Sequence, residues 1–179
     1  MRLFIALTLP APVIRRLVSL QAGLRVGRPV PPENMHLTLA FLGERREDAL
    51  DAIGEAFEDL PLAPFEIALA GVETLGAGET SVLAAGVRPS DPLAALEARL
   101  TARLRGAGLD LPRRRFRPHV TIARGLTAAD APKLANALAA APPFATDPFA
   151  PEALALFRSR LGKPVPVYEE LGSLELDRT

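Results

Sequence analysis

The sequence predicts an α+β protein of two lobes whose sheets face one another, and three observations carry that reading. Short apolar runs interleave with stretches of helical period, so strands and helices alternate along the chain. A strand–helix–strand unit occurs twice, at residues 3–42 and again at 81–124. The only two histidines lie one in each unit, in matching settings: His36-Leu37-Thr38-Leu39 and His119-Val120-Thr121-Ile122.

Each element has a local chemical cause. Residues 3–9 form an apolar run stopped by Pro10 and Pro12, which reads as a first strand. Residues 13–26 have helical spacing, with Ile14, Leu17, Leu20 and Leu24 on one side and Arg15, Arg16 and Arg25 free for solvent. A Pro-rich turn at 29–32 leads into a strand over 35–42, ended by Gly43. Residues 47–60 predict a second amphipathic helix, closed by Pro61. Residues 65–75 and 81–87 predict a hairpin around Gly76-Ala77-Gly78-Glu79. A third helix spans 92–105 before Gly106 and Gly108, and the second His/Thr strand spans 118–124. A fourth helix over 129–141 precedes Pro142 and Pro143, and 144–160 and 165–176 close the chain as hairpin arms.

Size and composition bound the function. With 179 residues, 49% of them hydrophobic and 23% charged, the chain fits one bilobal domain, 1–179, carrying an internal duplication. A formal net charge of +0 and a pI near 6.8 give no global basicity to argue for nucleic acid. Cysteine is absent, which excludes disulfides, thiolate nucleophiles and Cys-based zinc sites. The apolar opening meets Thr8 and Pro10 too early for a signal peptide, and no apolar run is long enough to cross a membrane. A cytoplasmic monomer is the expectation.

The His/Thr units carry the chemistry. The chain has nine threonines, so Thr falls two places after both histidines by chance in roughly one chain in four hundred. Alternation along a strand puts His36 and Thr38 on one face and Leu37 and Leu39 on the other, and likewise His119 and Thr121 against Val120 and Ile122. If a pseudo-two-fold relates the lobes, two imidazoles and two hydroxyls meet across a cleft. Such a centre suits phosphoryl chemistry without a metal: one imidazole takes a proton from water, the other protonates a leaving oxygen, and the hydroxyls donate to phosphoryl oxygens. Zinc is the weaker reading, because no Asp or Glu sits at ligand spacing beside either histidine.

These residues carry a resemblance. The chain resembles the 2H phosphoesterase superfamily, and within it the bacterial and archaeal RNA 2′,3′-cyclic phosphodiesterases, formerly called 2′-5′ RNA ligases. The likeness rests on Arg2-Leu3-Phe4-Ile5-Ala6-Leu7, on Pro32-Glu33-Asn34-Met35-His36-Leu37-Thr38-Leu39 with Phe41-Leu42-Gly43-Glu44, and on Arg115-Phe116-Arg117-Pro118-His119-Val120-Thr121-Ile122-Ala123-Arg124. It implies a bilobal pseudo-two-fold fold, with two antiparallel sheets facing a central cleft and helices outside. It also implies that water opens a 2′,3′-cyclic phosphate at an RNA 3′ end, breaking the P–O3′ bond to leave a 2′-phosphomonoester. His36 is then the general acid, His119 the general base, and Thr38 and Thr121 the phosphoryl holders, although near-symmetric units can exchange acid and base. No metal or nucleotide cofactor is implied, and the partner is RNA with a cyclic phosphate end. Reverse 2′-5′ ligation is a further possibility. Two alternatives stay open: an RNA-end binding module without turnover, and a relative acting on 2′-5′ linkages or small cyclic nucleotides.

Basic residues offer secondary candidates. Arg124 matches an Arg that often follows the second motif in the family, and its guanidinium suits a phosphate. Strict alternation puts it on the face opposite His119, so a bend after Ile122 is required. Arg113, Arg114, Arg115 and Arg117 form the one dense basic run, placed to guide an RNA backbone toward the cleft; Arg115 and Arg117 are the substrate-binding candidates from it. Many family members carry Trp before the first motif and in the third strand, where this chain has Pro29 or Val30 and Ala84, a change expected to alter base stacking. Tyr168, the lone Tyr, reads as hairpin packing, with stacking on a base as the alternative.

Overall fold

Residues 1–176 apart from 59, 114, 161, 163 and 164 are described by a computed structural model. Among them the strands are β1 (Arg2–Leu7), β2 (Arg28–Pro29), β3 (Leu37–Glu44), β4 (Leu69–Leu75), β5 (Val82–Val87), β6 (His119–Arg124), β7 (Ala153–Arg160) and β8 (Val167–Glu175). The helices are α1 (Ala11–Leu24), α2 (Leu50–Glu58), α3 (Asp91–Gly106) and α4 (Asp130–Ala140). The expected α+β class and all four helices are present. Helix 47–60 divides into a short 3-10 turn, Glu47–Ala49, followed by α2. The Pro-rich turn hides β2, a two-residue strand whose prolines mask it from periodicity.

Helix starts reflect the chemistry of their first turns. Pro10 and Pro12 flank the start of α1, where a missing N–H costs nothing. Ser90 caps α3, its hydroxyl accepting from the Leu93 N–H at 3.3 Å. Thr127 donates its N–H and its hydroxyl to Asp130 Oδ2, each at 2.8 Å, at the start of α4. Those two bonds hold the Asp130 carboxyl below its ordinary pKa.

The strands join in one antiparallel sheet of order β4-β5-β6-β3-β1-β7-β8, with β2 paired to β6. The two expected sheets are therefore two halves of a single ladder. They meet at one register pair, Leu37 opposite Val120. The reason is directional: β3 and β6 each begin at the joint and run away from it antiparallel, so only their first residues overlap. Leu37 and Val120 are fully buried, and with Leu3, Ile5, Leu7, Leu83 and Ile122 they form the apolar face beneath the helices. Helix α1 packs on β6 and α4, and α3 packs on β3 and α2. Helices α1 and α3 therefore each cover the half of the sheet that the preceding strand does not belong to. The opposite face stays open and carries the polar residues of the motifs.

Candidate active site

The joint brings the four motif residues together. Extending the Leu37–Val120 register by one residue each way sets His36 opposite Thr121 and Thr38 opposite His119. Cross-strand neighbours of this kind have Cβ atoms about 5 Å apart. All four side chains are half-buried, on the face opposite the core. His119 interacts electrostatically with His36, so the two rings share one electrostatic centre.

The two strands are built alike. His119 Nδ1 lies 2.8 Å from the Arg117 carbonyl oxygen, two residues upstream. A carbonyl only accepts, so Nδ1 carries the proton and Nε2 is left as the reactive nitrogen. His36 bonds the Asn34 backbone, again two residues upstream. Asn34 is itself buried, and its side-chain amide donates to the Pro166 carbonyl at 2.9 Å. Both motifs also bulge at their fourth residue. The β1–β3 register passes from Ile5↔Ala40 to Ala6↔Thr38, skipping Leu39. The β5–β6 register passes from Leu83↔Ala123 to Ala84↔Thr121, skipping Ile122.

Each bulge re-aims the residues beyond it. In β6 both Ile122 and Ala123 are buried, so alternation is reset and Arg124 returns to the histidine face. Its guanidinium charge reaches His36. This is the bend after Ile122 that alternation required of an Arg124 near the phosphate. Gln21 on α1 holds it in place, donating to the Ile122 carbonyl at 2.6 Å and to the Val30 carbonyl at 2.9 Å. In β3 the equivalent position is Phe41, which is 62% exposed and lies 6.4 Å from Phe4.

His36 sits in an aromatic wall. Phe4 stacks on it at 4.8 Å and 25°, Phe157 lies behind at 6.0 Å, and Tyr168 meets it edge-on at 5.3 Å. Burial, with Arg124 adding to it and His119 contributing less, pushes the His36 pKa down to about 4. In the free protein at neutral pH this imidazole is uncharged. A general-acid role therefore requires an arriving phosphoryl anion to restore its proton.

The remaining candidates separate. Arg117 is exposed, and its guanidinium pairs with Glu73 on β4. Arg115 is exposed in the coil ahead of β6, and Arg114 lies outside the described residues. Tyr168 packs against Phe4 as well as His36, so its role is larger than hairpin packing. Sequence reasoning missed the wall of Phe4 and Phe157, because both lie in runs too uniformly apolar for alternation to show. It also missed Glu73, which no motif marks. Among the described residues no group of three or more His, Asp or Glu is placed to hold a metal ion, and no helix is long and apolar enough to cross a membrane.

Comparison with known proteins gives the family and the fold. The family model of the 2′-5′ RNA ligase superfamily matches residues 10–163. An RNA 2′,3′-cyclic phosphodiesterase of Thermus thermophilus is 36% identical over 196 residues, covering 98% of this chain and 90% of that protein. One of Escherichia coli is 32% identical over 130 residues, covering 69% of this chain and 71% of its own. Among solved structures, TT0787 of Thermus thermophilus superposes with a TM-score of 0.79 at 31% identity, over 98% of both chains. Escherichia coli LigT complexed with 3′-AMP gives 0.76 at 26% identity, over 99% of this chain and 98% of that one. The chain belongs to the 2′-5′ RNA ligase superfamily, and its fold is that of the 2H phosphoesterases.

Proposed function

We propose that this protein hydrolyses RNA 2′,3′-cyclic phosphate ends to 2′-phosphomonoesters, using His36 and His119 as an acid–base pair without a metal. The observation that supports the reading is the single cross-strand pair Leu37–Val120, whose register puts the two His/Thr motifs side by side on neighbouring strands. The activity named for the relatives supports the substrate class.

His119, with its proton fixed on Nδ1 by the Arg117 carbonyl, takes a proton from water through Nε2. The water oxygen bonds to phosphorus and the P–O3′ bond breaks. His36 gives its proton to the departing O3′, leaving a 3′ hydroxyl and a 2′-phosphate. Thr38 and Thr121 donate to the non-bridging oxygens, where charge builds in the transition state. Arg124 pairs with the phosphoryl group. Its charge disfavours protonated His36 in the free protein, and an anion bound between them offsets that effect. Substrate thus loads the acid that it needs. One proton exchange between the histidines and solvent resets the site.

The test is incubation with an RNA oligonucleotide ending in a 2′,3′-cyclic phosphate, in the presence of a strong chelator, with the 2′- and 3′-phosphate products resolved. A 2′-phosphate is the expected product. Binding with no product after long incubation would identify an RNA-end binding module instead, and activity lost to the chelator would identify a metallohydrolase.

A further inference from the structure

On the histidine face, β5 contributes two small residues. Ala84 lies opposite Thr121 and Gly86 opposite His119. On the next strand Glu73 lies opposite Ala84. Thr121, Ala84 and Glu73 therefore form a row across three strands, which spans about 10 Å. A cavity of about 400 Å³ occupies this end of the sheet, lined by Gly71, Glu73, Gly86, Val87, Arg117 and Pro118 among others.

Gly86 lets the β4 backbone approach closely at the edge of this cavity. A Cβ there would fall 2.8 Å from the Ala70 carbonyl oxygen and 3.9 Å from Glu73 Oε1, so any larger residue forces the backbone apart. The residues lining the cavity include no aromatic ring, and its polar edge is made by Glu73 and Arg117.

We infer that this cavity is the subsite for the terminal nucleobase, and that Glu73 and Arg117 select guanine. The inference rests on the phosphodiesterase reading of the histidine pair. The two groups are bonded to each other and present two carboxylate oxygens beside a guanidinium. Guanine alone among the four bases shows two adjacent donors, N1–H and the N2 amino group, next to a carbonyl acceptor, O6. The donors match the carboxylate and O6 matches the guanidinium. Adenine and cytosine present a ring-nitrogen acceptor beside a single amino group, and uracil flanks its one N–H with two carbonyls. Each of those sets an acceptor against the carboxylate. Glu73 is shielded enough for the difference to matter, with its side chain 28% exposed against 65% for Arg117.

The experiment compares kcat/KM for four RNA oligonucleotides that differ only in the 3′-terminal base and end in a 2′,3′-cyclic phosphate. The wild type is expected to favour the guanosine end by roughly ten- to a hundredfold, the discrimination typical of a bidentate base contact. In Glu73→Ala that ratio falls to near one, and in Glu73→Gln, which keeps the shape but loses an acceptor, it falls partway. Ratios are taken within each protein, so a reduced folded fraction cancels. If Glu73–Arg117 is only a strut between β4 and the coil before β6, the ratios do not move. Turnover without base preference, or a preference unchanged in both variants, overturns the inference alone. Turnover of none of the four ends overturns the phosphodiesterase reading, and this inference with it.

Discussion

His36→Ala and His119→Ala are each expected to lower kcat by about 10²–10⁴-fold, the contribution of a positioned general acid or base. The loss is chemical rather than structural. Both rings lie on the open face of the sheet, while the core beneath the joint is made by Leu37 and Val120. Denaturation curves should show both variants folded. Because the two histidines act on one proton-transfer circuit, the double variant should be little worse than either single one. Steady-state rates on a cyclic-phosphate RNA check both statements; additive losses in the double variant would mean that the two rings work independently.

Acid should destabilise the protein through His36 in particular. The unfolded chain titrates this ring near 6.5, whereas the folded protein holds it at about 4. Between those values the unfolded state binds more protons, so stability falls as pH falls. The contribution is fully present above about pH 6.5 and lost as pH drops through 4, and a shift of this size corresponds to about 3 kcal/mol. Urea denaturation at pH 7.5 and pH 4, compared between wild type and His36→Gln, isolates it, because the carboxylates titrate in both proteins. Wild type should lose about 3 kcal/mol more than the variant; parallel losses would show that burial does not hold the ring neutral.

The same ring shows how far the sequence can be read. Composition, helical period and the paired His-x-Thr units were enough for the α+β class, the four helices and the shared polar face. Local alternation also set the condition on Arg124, a bend after Ile122. It could not say that the bend exists, because a bulge is set by the partner strand: the skip at Ile122 is visible only against Leu83 and Ala84. The offset of 83 residues that relates His36 to His119 also relates Leu39 to Ile122 and Phe41 to Arg124, and we propose an internal duplication as its origin.

The features that stayed hidden depend on contacts between distant segments. The wall behind His36 draws Phe4 from β1, Phe157 from β7 and Tyr168 from β8. None of those positions is marked by a motif. The depressed pKa arises from that wall and from Arg124, 88 residues away in sequence. The basic run was legible only as charge. Sequence shows Arg117 but not Glu73, which the fold brings to it from β4.

The most direct test of the two-histidine account is the pH dependence of kcat/KM on a cyclic-phosphate RNA, measured for wild type, His36→Gln and His119→Gln. This ratio reports the groups of the free enzyme. The account predicts a bell for the wild type with one limb near pH 4, set by His36 whichever way its proton moves. That limb vanishes in the residual activity of His36→Gln, and the other vanishes in His119→Gln. A bell that survives unchanged in both variants would contradict the account and place the acid and base elsewhere.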